Sequence, residues 1–207
     1  MRTSITKEDL ATLPIREFDG HPVTVINMEQ AEIAVRQIRE GKCPVGFDTE
    51  TRPSFRKGEY HKVALVQLSI GKFCFLFRLS KIKCMPACLK ELLEDPTVIK
   101  IGLSTKDDFR NLNKWDALEP KGFVELQEYV KEFGITDMSL AKIYADVFEK
   151  KLSKKQQMTN WEADQLSFPQ QSYASLDAIS CVEIYEELRK HGVKVVKAPK
   201  TPEKTKE

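Results

Sequence analysis

The sequence predicts an α/β fold in which a mixed sheet is flanked by helices, and three observations carry that expectation. Two apolar runs, Val63 to Ile70 and Phe73 to Leu79, are separated only by Gly71-Lys72, which is a hairpin signal. Two short apolar stretches, Val98 to Ile101 and Gly122 to Val124, sit between helical segments, as crossover-connected parallel strands do. A long helical pattern opens at Phe168-Pro169, where proline suits the first turn, and runs to about His191 with Gly192 as its stop.

The remaining elements follow in order. Met28 to Arg39 reads as an amphipathic helix, with Ile33, Val35 and Ile38 among charged residues and Gly41 as its stop. Val45 to Glu50 reads as a strand, and with the hairpin it makes three early strands joined without helices, which suggests antiparallel pairing. At 207 residues one domain is expected. It is placed at 23–192, after an N-terminal extension, 1–22, and before a loose basic tail, 193–207, marked by Pro199 and Pro202 among lysines.

Hydrophobic residues make up 41% of the chain and charged residues 31%, a balance that excludes the disordered and membrane classes. No stretch approaches the roughly 20 apolar residues of a spanning helix, and Met1 to Leu10 is polar where a signal peptide is apolar. A cytoplasmic protein is expected. Cys43, Cys74, Cys84, Cys88 and Cys181 form no Cys-x-x-Cys pair, so they are expected to be reduced, buried thiols; pairing or metal binding by Cys84 and Cys88 is the alternative. A net charge of +2 says little about a polyanionic partner. Lys150, Lys151, Lys154 and Lys155 and the seven basic residues from Arg189 onward read as solvated surface, with nucleic-acid contact as the alternative.

Three sets of acids carry the chemistry. Asp48 and Glu50, two apart on a predicted strand, leave the same face and repel unless a cation sits between them; the plainer reading is an exposed edge strand with its acids in water. Asp107 or Asp108 falls near the start of a helix after Lys100 to Gly102, where an N-cap is the plainer reading. Tyr173 and Asp177 are four apart on the final helix and share a face; a core tyrosine beside a solvated aspartate is the alternative.

Taken in this order, the motifs resemble the DEDD superfamily of 3′→5′ exonucleases, in its tyrosine branch (DEDDy), and within it the ribonuclease D-like and Werner-type exonuclease domains. The resemblance runs from about Val23 to His191. It rests on Phe47-Asp48-Thr49-Glu50, on Lys100-Ile101-Gly102 leading to Asp108, and on Tyr173 with Asp177, supported by Gly122 to Leu126 and by Asn160-Trp161. At Glu125 the relatives often carry aspartate, a departure outside the catalytic set.

The resemblance implies a ribonuclease H-like fold and catalytic roles for Asp48, Glu50, Asp108, Tyr173 and Asp177. It also implies two divalent cations, Mg²⁺ or Mn²⁺, which in such sites lie about 3.5–4 Å apart. Asp48 would bridge both, Glu50 and Asp177 would complete the first, and Asp108 would help hold the second. Tyr173 would orient the attacking water, since a phenol of pKa about 10 is a poor base at neutral pH. The implied partner is nucleic acid, DNA or RNA, with a free 3′ end, and the implied products are nucleoside 5′-monophosphates. No motif names a protein partner or reads a 2′-hydroxyl. Two rivals are a catalytically silent nucleic-acid-binding module of the same fold and an unrelated α/β protein; the silent module leaves four acids facing a polyanion unexplained.

Overall fold

The hairpin forms as its sequence requires, with β3 (Val63–Ile70) and β4 (Phe73–Phe77) antiparallel about Gly71, whose φ of +54° is the left-handed conformation that glycine supplies freely. These belong to a computed structural model, which describes residues 1–56 and 58–192; the basic tail expected at 193–207 lies outside the described residues. β2 (Val45–Thr51) pairs antiparallel with β3, while β5 (Lys100–Gly102) and β6 (Phe123–Glu125) extend the sheet in parallel. A first strand that sequence patterning did not pick out, β1 (His21–Val25), pairs parallel with β4 and completes the order β1-β4-β3-β2-β5-β6. The class is the mixed sheet expected, three antiparallel strands followed by parallel ones, with one more parallel strand at the far edge. His-Pro-Val-Thr-Val alternates too weakly to signal a strand, since only Val25 is buried.

Besides the short helices α1 (Lys7–Thr12), α3 (Leu79–Ile82) and α6 (Leu126–Tyr129), two helical layers cover the sheet. On one face lie α2 (Met28–Gly41), α4 (Ala87–Glu94) and α5 (Thr105–Leu112), packed on Val45, Phe47, Leu68, Phe75 and Phe77. On the other lies α8 (Phe168–Lys190), which is held against the sheet by Ala174, Ala178 and Ile179 and against α7 (Leu140–Phe148) by Leu176, Val182 and Ile184. Two apolar contacts on different sides explain why this helix lacks a single apolar stripe. Its start is fixed by a capping box, in which Ser167 and Gln170 satisfy each other's backbone N–H groups, with Pro169 in the first turn.

Three local expectations are corrected. α2 continues through Gly41, and the left-handed stop is Lys42, at φ 47°; a Cβ at Gly41 would meet Ile70 Cδ1 at 3.3 Å. The buried face of α2 is Ala31, Ala34, Val35 and Ile38, spaced at helical period, and this leaves Ile33 exposed. All five cysteines are free, but only Cys74 and Cys181 are buried; Cys43 and Cys84 sit exposed in the turns that follow helices.

Two close contacts place the functional elements. A Cβ at Gly46 would lie 2.0 Å from the Ala178 carbonyl oxygen, so α8 can rest directly on β2 only because residue 46 has no side chain. Lys100 is fully buried on β5, where its ammonium donates to the carbonyls of Leu92 at 3.0 Å and Asp95 at 2.7 Å. Those carbonyls end α4, so the buried charge is met by the negative end of a helix. The residues before β1 pack on the same body: the Ile5 N–H donates to Asp137 at 2.7 Å, and Ile15 bridges Lys151.

Candidate active site

Asp48 and Glu50 leave β2 on the face that α8 covers, as alternation along a strand requires. A register shift falls between Glu50 and Thr51 and interrupts regular pairing just beyond the second acid. From above, Asp177 projects off α8 one residue before Ala178, the residue that touches Gly46. One carboxylate oxygen from each of Asp48, Glu50 and Asp177 lies within 4.8 Å of the others. Tyr173, one turn earlier on α8, lines the same cleft of about 380 Å³. Its ring packs on buried Trp161 with centroids 6.0 Å apart. The loop carrying Trp161 is anchored by buried Arg78, which donates to the carbonyls of Ala163 and Asp164.

Asp108 takes a different position. It sits in the first turn of α5 and accepts a hydrogen bond from Thr49 Oγ1, on the strand residue between Asp48 and Glu50. It does not line the cleft that the other four share, although Asp48 acts on its charge. Asp107, its neighbour, points to solvent and pairs with Arg110 at 2.8 Å. The cap position is Ser104, three residues before Asp107, so of the two places open to Asp107, N-cap or solvent, it takes solvent.

Ser104 is left-handed (φ 61°) and offers no side-chain cap of its own. Glu125 supplies the cap from β6: its carboxylate accepts from the backbone N–H groups of Ser104 at 2.9 Å and Thr105 at 2.8 Å and from Thr105 Oγ1 at 2.9 Å. A carboxylate at a helix N-terminus satisfies orphan donors and suits the helix dipole. Sequence reasoning set Glu125 aside; its one signal was an acid at this position in the relatives. Thr49 and Lys154 were also missed as site residues, Lys154 having stood out only as part of a charge cluster.

The electrostatics follow from burial and crowding. Glu50 is pushed up to about 10, first by burial and then by Asp48, Asp177 and Asp108. Burial raises Asp48 well above the carboxylate range, and Asp177 adds to it. Asp108 is raised by burial and Asp48, against the opposing hydrogen bond from Thr49. Asp177 is raised by burial, with Tyr173 and Lys154 easing it downward. The Tyr173 phenol is raised by burial, then by Asp177 and Glu50, and so remains protonated at neutral pH.

The chain is similar to known proteins over most of its length. The model of the 3′-5′ exonuclease family matches residues 22–192. The Mus musculus bifunctional 3′-5′ exonuclease/ATP-dependent helicase WRN is 31% identical over 190 residues, which are 87% of this chain and 13% of that protein. A Drosophila melanogaster 3′-5′ exonuclease is 31% identical over 172 residues, 78% of this chain and 48% of its own. The chain thus spans less than half the length of either relative. Among solved structures, the catalytic core of RRP6 from Trypanosoma brucei matches with a TM-score of 0.73 at 21% identity, over 90% of this chain and 52% of that one. Escherichia coli RNase D, described as an exoribonuclease, matches with a TM-score of 0.71 at 20% identity, over 80% of this chain and 44% of that one. With the family model covering the whole sheet and both helical layers, the chain belongs to the 3′-5′ exonuclease family.

Proposed function

We propose that this chain hydrolyses phosphodiester bonds from the free 3′ end of DNA or RNA and releases nucleoside 5′-monophosphates, using two divalent cations held by Asp48, Glu50, Asp108 and Asp177. The observation that carries the reading is the convergence of Asp48, Glu50 and Asp177 within 4.8 Å. Such crowding of half-buried acids is costly unless cations compensate it, and hard oxygen donors suit Mg²⁺ or Mn²⁺. When bound, such cations neutralise phosphate charge and clamp the attacking and leaving oxygens of an in-line displacement.

The protein's own groups do the rest. The Asp48 charge raises both Glu50 and Asp108, which supports the reading that it would help hold both cations. Tyr173, kept neutral, donates a hydrogen bond that positions the attacking water and does not take its proton. Lys154 lines the cleft and offers a positive charge to the phosphate. A cytoplasmic site of action is part of the proposal and accords with five free cysteines. Among the described residues no helix is long and apolar enough to cross a membrane.

The test uses 5′-labelled DNA and RNA, single-stranded and duplex, with free or blocked 3′ ends, in Mg²⁺, Mn²⁺ or chelator. The expected result is stepwise shortening from free 3′ ends only, lost in chelator. Binding without mononucleotide release under every condition overturns the reading and leaves the silent binding module in its place.

A further inference from the structure

Alternation along β3 places Leu65, Gln67 and Ser69 on the face that α8 covers. Gln67 is fully buried there, yet among the described residues neither its Nε2 nor its Oε1 has a hydrogen-bond partner. A buried carboxamide without partners is costly, and a leucine or methionine would fill the same space without that cost. Its neighbours decide where a partner can come from. On β4 the residue opposite is Leu76, and α8 lays Ala174 and Ala178 over the same layer; none of these side chains offers a polar atom. On β2 the residue opposite is Asp48. Side chains directly opposite on antiparallel strands share a face with Cβ atoms about 4.5–5.5 Å apart, within reach of a carboxamide.

We infer that Gln67 is a positioning residue for Asp48: its Nε2–H donates to the carboxylate oxygen turned toward β3 and fixes the orientation in which Asp48 meets the cations. The inference rests on the metal-binding part of the reading above and goes beyond it, since Gln67 touches neither cation nor substrate. A neutral donor suits this place. A lysine opposite Asp48 would neutralise the carboxylate and repel the cations, whereas a carboxamide orients it and leaves its charge free. Thr49 serves Asp108 in the same way, donating from its hydroxyl to that carboxylate.

The test compares the wild type with Gln67→Met and Gln67→Asn by three measurements: Mn²⁺ binding without substrate, read from the EPR signal of free Mn²⁺, melting temperature in chelator, and oligonucleotide digestion. Gln67→Met nearly keeps the volume and removes the carboxamide. Its Mn²⁺ affinity is expected to fall about tenfold, the low end for lost support of a metal ligand, and the Mg²⁺ concentration for half-maximal rate to rise by the same factor. Its melting temperature in chelator is expected to hold or rise, because a buried polar group has gone, and its oligonucleotide KM at saturating Mg²⁺ to stay unchanged. Gln67→Asn keeps the amide one methylene short and should fall between the two, so it reads the effect even where methionine impairs folding. A glutamine that only fills the core would move the melting temperature and leave Mn²⁺ affinity alone. That result in folded Gln67→Met overturns the inference while wild-type digestion leaves the exonuclease reading standing. A wild type that binds Mn²⁺, with affinity lost in Gln67→Met, but digests nothing sinks the exonuclease reading alone. A wild type that binds no Mn²⁺ overturns both.

Discussion

Thr49 Oγ1 donates to the Asp108 carboxylate and so ties the first turn of α5 to the strand residue flanked by Asp48 and Glu50. Because side chains alternate along a strand, Thr49 leaves the face opposite to those two acids. Asp108 therefore meets the cluster around the end of β2, and not from the α8 side. The Thr49 hydrogen bond opposes the burial that raises the Asp108 carboxyl, so Thr49→Val removes a downward influence. The acid limb of the kcat/KM–pH profile is expected to move to higher pH in this variant. A profile that superposes on the wild type's would separate Asp108 from catalysis.

The adjacent aspartates are expected to behave oppositely. Asp107→Ala loses only a solvent-exposed pair with Arg110, of a kind worth about 0–1 kcal/mol, and should retain both turnover and stability. Asp108→Ala should lose turnover. Steady-state assays and thermal melts on the two variants decide it, and loss of turnover in Asp107→Ala alone would move the site by one residue.

Stability should fall as pH rises when divalent cations are absent. Glu50 is raised from 4.5 to about 10, so the folded protein keeps a proton that the unfolded chain releases. That contribution is fully present below the unfolded value of 4.5 and is lost as pH rises through the folded value near 10; Asp48, Asp108 and Asp177 shift in the same direction. Melting temperature in chelator is expected to decline between about pH 5 and about pH 9, and Mn²⁺ or Mg²⁺ to reverse the decline by binding the ionised acids. A rising curve in chelator would contradict the packing of the acids.

Asp48→Ala and Asp177→Ala are expected to abolish turnover while leaving the melting temperature in chelator unchanged or raised, since each relieves repulsion among crowded, half-buried carboxyls. Tyr173→Phe keeps the ring against Trp161 and removes only the hydroxyl. Its loss should be smaller, on the order of 10²-fold in kcat. Single-turnover rates measure both, and full activity in Asp177→Ala would remove α8 from the chemistry.

Glu125→Ala strips three acceptor contacts from the start of α5, and lost caps cost about 0.5–2 kcal/mol. Both the melting temperature and kcat are expected to fall, because the same turn carries Asp108. Glu125→Asp, which keeps the charge, should recover part of each. Equal kcat in wild type and Glu125→Ala would show that α5 holds its place without the cap.

Backbone periodicity is what made half of the site legible before any fold was known. Asp48 and Glu50 share a face because a strand repeats every two residues, and Tyr173 and Asp177 share one because a helix returns after nearly four. The hairpin at Gly71 and the helix opening at Pro169 were legible for the same reason, since turn and first-turn residues act on their own few neighbours. That the two pairs meet was settled by packing. That meeting depends on α8 crossing β2 where Gly46 faces Ala178, a contact between residues more than a hundred apart whose closeness no local pattern encodes. The same holds for the side from which Asp108 arrives, for Glu125 capping a helix twenty residues earlier, and for Lys154 reaching the cleft. Periodicity orients a side chain relative to its own element; packing alone orients one element on another, because it sums many contacts between distant segments.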